Sequence, residues 1–227
     1  VATPWHTDDI RGRIKAKMAD PAFPQFEFMD FPATNPDGTF LFPERMTDQW
    51  YREQYATLSK YEASGLLDIN PEVRGGNVFK IDGIQEVELS AFPAGRYVRP
   101  WDLASSEDQR TGDDPDWTVG PLGMIRFVQG ADGLKVWQLW IRDRVRFREA
   151  APKRDAKIIA TADADPPGVA CPVEAFAAYK DAAKHIARLL AGRRIVKELR
   201  PPGDKMAKAQ PLEVMFESGN VFVPRGS

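Results

Sequence analysis

Two acidic residues stand at the ends of predicted strands, where their carboxylates could do chemistry. Asp102, between a tryptophan and a leucine, lies near the end of a predicted strand at 96–103, and Glu174 ends a predicted strand at 169–174. A carboxylate among apolar residues is costly unless it is paired, hydrogen-bonded or bound to a cation. If the two strands are neighbours, both carboxylates emerge at one edge of the sheet. The alternative is that both acids are solvated strand ends, and spacing alone favours that interpretation.

A cation held by these acids would be a hard one. Mg²⁺ and Mn²⁺ take oxygen ligands, and two carboxylates with open water positions suit phosphoryl chemistry. A zinc site is not expected, because the chain has one cysteine, Cys171, and two distant histidines, His6 and His185. The single cysteine also excludes an internal disulfide framework and fits a reducing compartment.

The elements that must position the acids follow from turn signals and periodicity. Two apolar runs joined by 129–133 (QGADG) predict a β-hairpin. The order of strands and helices predicts an α/β fold with a mixed sheet. The predicted strands are 96–103, 122–128, 134–141, 169–174, 194–199 and 220–223, and the predicted helices are 158–164, 176–191 and 205–217.

The first ninety residues are broken by prolines and predict an irregular, mostly helical linker. Thr47 is a candidate N-cap for a helix that runs to Leu58, and a second short helix is expected at 61–67. With 43% hydrophobic and 28% charged residues among 227, the whole chain is globular in composition, and no run of about 20 apolar residues predicts a membrane span. Because the chain opens with Val1, we expect a piece of a longer protein. The tryptophans, Trp137 and Trp140 included, are expected in the core.

The C-terminal part is locally basic. Between Lys180 and Lys208 there are nine lysines or arginines and three acids, although the net charge of the chain is −2. Such a segment indicates a surface that faces a polyanion. A solvated helix face is the alternative, and it is favoured in the absence of other observations.

Several segments, in order along the chain, resemble the large terminase subunit of tailed phages, the motor-nuclease that packages viral DNA. The segment 98–104 (VRPWDLA) looks like the first catalytic strand of that family, and 116–118 (DWT) is similar to the step before its second strand. In 172–180 (PVEAFAAYK), Glu174 falls on the family's second metal-binding acid. No single motif is specific, but the ordered set is. Further similar stretches are 4–13, 41–45, 70–79, 203–211 and 217–221.

The resemblance implies an RNase H-like nuclease domain at 91–227, preceded at 1–90 by the end of an ATPase domain and a linker. Two Mg²⁺ or Mn²⁺ ions would then cut a DNA phosphodiester. Asp102 would bridge both metal ions and Glu174 would hold one, so these two are the implied catalytic residues. The family also needs a third acid, which we expect beyond Ser227, in which case the domain is C-terminally incomplete. Asp116 is a secondary candidate for a metal ligand, and 223–227 (VPRGS) resembles a remnant of a cleavage tag.

The same resemblance implies double-stranded DNA, a portal protein and a small terminase subunit as partners, no membrane association, and a place in the host bacterial cytoplasm rather than in the mature virion. A phosphate loop of the form GxxxxGK[ST] is missing, so ATP hydrolysis is not predicted for this chain. Lysines and arginines that contact phosphates hold DNA without reading its sequence. The candidate DNA-binding residues are Lys180, Lys184, Arg188, Arg193, Arg194, Lys205 and Lys208.

Two rival functions stay open. The chain could be a non-catalytic DNA- or portal-binding module of the packaging motor, with a degenerate or truncated nuclease site. The missing third acid favours it, as do Phe176 and Tyr179, which stand where the family has glycines. An unrelated RNase H-like recombinase or resolvase would need a third acid placed within this chain.

Overall fold

The computed structural model describes residues 3–73, 78–104, 117–130, 133–174, 180–199 and 205–226, with the backbone alone at 205–207. The chain forms two compact units. The first comprises 1–83, 127–137 and 205–220, and the second comprises 84–126, 138–204 and 221–227. The domain division at residue 90 stays a prediction. No helix among the described residues is long and apolar enough to cross a membrane.

The first unit contains helices α1 (Ile10–Lys17), α2 (Asp48–Thr57) and α3 (Lys60–Leu66) from the N-terminal part, and α6 (Lys205–Glu217) from the C-terminal part. Helix α1 was not predicted from the sequence. It buries none of its residues, so it has no apolar periodicity to detect. It forms behind an N-cap, because the Asp9 carboxylate accepts a hydrogen bond from the backbone N–H of Gly12 at 2.9 Å.

The predicted helices α2 and α3 are confirmed, each with the cap that its sequence indicates. Thr47 accepts a hydrogen bond from the backbone N–H of Trp50 at 3.2 Å. Ser59 and Glu62 form a reciprocal capping box at the start of α3. The end of α6 lies beside this region, since the Glu217 carboxylate accepts from the backbone N–H of Lys60 at 2.9 Å.

A β-sheet organises the second unit. Four strands, β1 (Ile84–Val87), β6 (Val221–Pro224), β3 (Lys135–Phe147) and β2 (Thr118–Gln129), are adjacent in the order β1-β6-β3-β2. Bridges at Val98 and Asp102 join β2 to an extended segment at 98–102, which we call the Asp102 segment. On its other side this segment pairs with Ala170 and with β4 (Val173–Glu174), and β4 pairs with β5 (Glu198–Leu199).

The strand directions give a mixed, mostly parallel sheet. Strands β1, β6 and β3 run parallel, and so do the Asp102 segment, β4 and β5. Strand β2 runs antiparallel to the Asp102 segment, and the connection from β2 to β3 is too short for anything but an antiparallel pair. The predicted α/β class with helices flanking a mixed sheet is confirmed, and the order β3-β2-Asp102 segment-β4-β5 is consistent with an RNase H-like fold.

Helices α4 (Ala151–Ala164) and α5 (Lys180–Leu190) pack on one face of the sheet, which we call the helix face. Their buried residues Ile158 and Ile186 join Trp101 and Val173 in one core cluster. A second cluster surrounds Trp140, which stacks on Phe222 at a ring separation of 4.0 Å and meets Phe92 edge-on. The opposite face, which includes the exposed Asp102, is called the open face.

Several predicted element bounds are wrong, each for a local reason. The hairpin strands are longer than the predicted runs 122–128 and 134–141, because polar and apolar residues alternate beyond both runs. Helix α4 begins seven residues before the predicted 158, since Pro152 stands in its first turn, where a proline starts a helix rather than breaks it. Strand β1 was missed because it has only four residues and pairs with distant β6. Short 3₁₀ turns cover Ile81–Gly83 and Leu89–Ala91.

Candidate active site

The two predicted catalytic acids lie directly opposite each other on neighbouring parallel strands. The backbone N–H of Trp101 donates to Pro172 O at 2.8 Å, and that of Glu174 donates to Trp101 O at 3.1 Å. This pattern sets Trp101 opposite Val173, and therefore Asp102 opposite Glu174. Residues opposite each other on adjacent strands have their β-carbons about 5 Å apart. The structure thus brings together the carboxylates that the sequence predicted at one edge of the sheet.

Alternation along the strands directs both acids to the open face. Trp101 and Val173 are buried on the helix face with exposed fractions of 1% and 0%. Successive side chains on a strand point to opposite faces, so Asp102 and Glu174 belong to the open face, where Asp102 is exposed and Glu174 half-buried. Val119 pairs with Asp102 on the β2 side, and Leu199 pairs with Glu174 on the β5 side.

The backbone that carries Asp102 is held from both sides. Asp102 exchanges two hydrogen bonds with Val119, each 3.0 Å long, while its neighbour Trp101 bonds to the strand of Glu174. The Trp101 ring fills the space above Gly120, where a β-carbon would lie 2.5 Å from the nearest ring atom. The position of Asp102 is therefore set by the sheet and by core packing rather than by a loop.

A buried ion cluster lies on the helix face behind the Asp102 segment. Arg99 is 2% exposed and donates two hydrogen bonds of 2.7 Å to the Asp165 carboxylate, one to Asp143, and one of 2.6 Å to the carbonyl of Gly120. Burial alone would lower the pKa of Arg99, but its hydrogen bonds to the two carboxylates outweigh burial, and the pKa lies above its ordinary value. The sequence reasoning did not identify this cluster, which ties β2 and β3 to the Asp102 segment.

The residues that flank the segment 105–116 are hydrogen-bonded close to Asp102. The backbone N–H of Ala104 donates to the hydroxyl of Thr118 at 3.1 Å, and the carbonyl of Ala104 accepts from the buried Arg154 at 3.3 Å. Thr118 is itself 1% exposed. Asp116, the secondary candidate for a metal ligand, lies outside the described residues.

The open face also carries arginines that the sequence reasoning missed. Phe147 is buried on the helix face against Trp101, so its neighbours Arg146 and Arg148 point to the open face. Their guanidinium carbons lie 4.5 Å and 4.1 Å from the centre of the Trp117 ring. Arg144 is exposed and lies one alternation earlier on β3. The signal was an arginine at every second position from 144 to 148.

The predicted DNA-binding residues of α5 lie on the other side of the sheet from the acids. Ala183, Ile186 and Leu190 pack this helix against the helix face, so the exposed Lys180 and Arg188 point away from the sheet. Half-buried Lys184 lies on the same helix. The structure therefore does not bring the basic stripe of α5 to the open face.

The other predicted DNA contacts have partners within the chain or lie in the first unit. Arg193 donates to the Asp163 carboxylate at 2.6 Å, and Arg194 donates to the backbone carbonyls of Asp165 and Pro166. Lys208 is an exposed residue of α6, and of Lys205 only the backbone is described. A role for these residues in DNA binding stays a prediction.

No protein-family model matches the chain, and no curated protein matches it either. Among solved structures, it is similar to the crystal structure of the large terminase nuclease from thermophilic phage G20c. The two are 16% identical with a TM-score of 0.39, over 66% of this chain and 75% of the phage protein. The fold stated above rests on the strand order and pairing of this sheet, independently of that similarity.

The donor set of the candidate site suits one hard divalent cation. Two carboxylates supply oxygen ligands, and Mg²⁺ is commonly bound by one or two carboxylates with water and phosphate completing its coordination. Two like charges directly opposite on neighbouring strands also repel, and a bound cation offsets that repulsion. Within the described residues, no group of three or more acids, histidines or cysteines is placed to hold a metal ion.

Proposed function

We propose that this chain is the nuclease part of a phage terminase large subunit, a metal-dependent endonuclease that cuts concatemeric viral DNA during genome packaging. The observation that carries the proposal is the register of Asp102 opposite Glu174 on the open face of an RNase H-like sheet. The ordered sequence resemblance, which names the same two acids, supports it. The similarity to a phage terminase nuclease is compatible with it.

In this proposal the two acids bind the metal ions and the sheet orients them. Bound Mg²⁺ or Mn²⁺ supplies activation of water and stabilisation of the leaving 3′-oxygen. Asp102 is held by two backbone hydrogen bonds to Val119 and lies opposite Glu174 on the neighbouring strand. A pair of metal ions needs a further carboxylate from outside the described residues, and Asp116 is a secondary candidate for it.

Plasmid cleavage at low salt tests the proposal. We expect nicking and linearisation with Mn²⁺ or Mg²⁺, none with EDTA, and loss of cleavage in Asp102→Asn and Glu174→Gln. Glu198→Gln is the matched control, because it removes one carboxylate from β5 opposite Val173, on the other face from the acids. Activity that survives in Asp102→Asn, or that is lost equally in Glu198→Gln, would overturn the assignment.

A second candidate is a non-catalytic module of the packaging motor that binds DNA or the portal protein. It is favoured by the observation that the described residues hold two acids at the site rather than three. DNA binding without metal-dependent cleavage in the same experiment would support this candidate over the nuclease.

The partners and location that follow from the proposal are double-stranded DNA, the portal protein and the small terminase subunit, in the cytoplasm of the bacterial host. Co-purification of the chain with a portal ring from an induced lysogen would test the protein partners. A chain found packaged in mature virions would contradict the proposed location.

A further inference from the structure

The open face carries its own arrangement of cations and one aromatic ring beside the acid pair. Arg146 and Arg148 lie 4.5 Å and 4.1 Å from the centre of the Trp117 ring, and Arg144 is exposed on the same strand. We call these four residues the arginine row. They belong to the second unit, as do Asp102 and Glu174.

The arginine row and the acids lie on the same face because the residues next to them in sequence are buried on the helix face. Phe147 and Val145 contact the core cluster of the helix face, which leaves Arg144, Arg146 and Arg148 on the open face. Trp101 is buried in that same cluster, which leaves Asp102 on the open face. These placements follow from strand alternation on both sides of β2.

The separation between the arginine row and Asp102 suits one nucleic-acid strand. Only β2 lies between β3 and the Asp102 segment, and neighbouring strands are about 4.8 Å apart, so the row runs roughly 10 Å from Asp102. Each nucleotide of duplex DNA advances about 3.4 Å along the axis. Because a strand also winds around the axis, neighbouring phosphates are farther apart than this rise, and a phosphate held at the arginine row lies about one or two nucleotides from a phosphate at the acids.

Stacking on Trp117 gives these arginines a defined direction. A guanidinium that lies over an aromatic ring keeps its N–H donors at its edges, where they match the oxygens of a phosphate. The donors of this surface are guanidinium groups, and the Trp117 side chain, which is 38% exposed, supports two of them. Such a surface recognises the backbone of DNA and not its sequence.

From this arrangement we infer that the arginine row holds the DNA backbone next to the acid pair, and that the basic stripe of α5 does not. The inference rests on the proposed function for the identity of the nucleic acid. Arg144 and Arg146 act as positioning residues, because they place a phosphate at the acids without touching the bond that is cut. Like charges on Asp102 and Glu174 repel DNA, and the row offsets that repulsion.

The test is binding of a short fluorescent DNA duplex in EDTA, in an Asp102→Asn background so that no cleavage occurs. We expect Arg144→Ala/Arg146→Ala to weaken binding about tenfold or more. The slope of log K against log salt should fall by about 2, because each of the two arginines neutralises one phosphate. The matched control is Lys180→Ala/Arg188→Ala on α5, which removes the same charge from the other side of the sheet. We expect it to leave the affinity within about twofold of the parent and the slope unchanged, because these side chains contact no phosphate.

A conservative variant separates positioning from folding. Arg146→Lys keeps the charge, so the salt slope should be retained, while the loss of guanidinium stacking weakens binding only mildly. Arg144, Arg146, Lys180 and Arg188 are all exposed, so thermal unfolding of each variant should match the parent. A lower melting temperature in Arg144→Ala/Arg146→Ala, with an unchanged slope, would overturn the inference.

The two proposals fail independently. Equal loss of binding in the β3 and α5 double variants would overturn the arginine row, since binding would then follow net charge, yet metal-dependent cleavage by the parent chain would still support the nuclease. Conversely, DNA binding that depends on the arginine row without any cleavage in Mn²⁺ would retain the row and overturn the nuclease.

Discussion

The ring of Trp101 lies where a β-carbon on Gly120 would be, with three ring atoms between 2.5 and 2.7 Å from that position. Trp101 is 1% exposed and belongs to the core cluster under α4 and α5. Its sequence neighbour, Asp102, stands on the opposite face of the same segment. Packing against a glycine in β2 therefore fixes the backbone from which a candidate metal ligand projects.

Substitution of Gly120 by alanine should destabilise the protein through that contact. The added methyl group cannot fit without moving the Trp101 ring, and overpacking of this kind costs about 1–3 kcal/mol. Urea denaturation measures the loss. In a Trp101→Leu background the same substitution should cost much less, because the ring atoms are gone; an equal cost in both backgrounds would show that the glycine is needed for another reason.

Replacement of Arg99 should show how much the buried ion cluster contributes to the free energy of unfolding. Arg99→Met leaves the Asp165 carboxylate, 5% exposed, without its guanidinium, and a broken buried ion pair typically costs about 3–5 kcal/mol. Asp143→Asn is the matched control: this partner is 50% exposed, and we expect a loss below about 1 kcal/mol. The double variant Arg99→Met/Asp165→Leu should recover most of the stability lost in Arg99→Met.

Metal binding can be checked separately from cleavage. Calorimetric titration of the chain with Mn²⁺ should show binding that weakens in Asp102→Asn and in Glu174→Gln, because each replaces a charged carboxylate by a neutral amide and removes half of the negative charge of the pair. Glu198→Gln should bind as the parent does. Equal weakening by all three substitutions would indicate a general effect of surface charge rather than a site.

The buried thiol of Cys171 predicts a dependence of stability on pH. Burial, and secondarily the charge of Asp165, raise the pKa of this thiol in the folded protein. The folded state thus keeps its proton at a pH where the unfolded state, with a thiol pKa near 8.5, has lost it. The free energy of unfolding should be unaffected well below that pH and should fall as the pH rises above it.

Chemical denaturation at several alkaline pH values measures this slope, with Cys171→Ala as the comparison. The variant lacks the thiol, so its free energy of unfolding should decline less steeply over the same range. A second measurement is alkylation, which should be slow in the native chain and fast in denaturant. A native thiol that reacts as fast as the unfolded one would contradict the burial of Cys171.

The part of the site that the sequence predicted depends on local signals. Asp102 and Glu174 each end a run of residues typical of a strand, and parallel strands bring such ends to one edge, so their proximity could be predicted before their register was known. Helix α5 was predicted by its apolar face, and Gly192 after it adopts the left-handed conformation expected at a helix end. The roles of the two acids stay predictions.

The remainder depends on contacts between residues that are distant in sequence. Strand β1 exists because Ile84 pairs with Val221, and no pattern within four residues reveals such a partner. Trp137 was expected in the core but is 50% exposed. The sequence of a strand does not indicate which of its two faces packs against other elements. The face carrying Arg146 was equally undetermined until Phe147 was located against Trp101.

The fastening of Ala104 to Thr118 and Arg154 bears on how this region can diverge or be engineered. Because these hydrogen bonds hold the chain where it leaves and re-enters the sheet, the number of residues between 104 and 117 can change without shifting Asp102. Closing a longer loop costs little, about 0.6 kcal/mol for each doubling of its length. The position is therefore a natural point for insertions that leave the strands of Asp102 and Glu174 unchanged, and a place to graft a peptide tag or a sensor module.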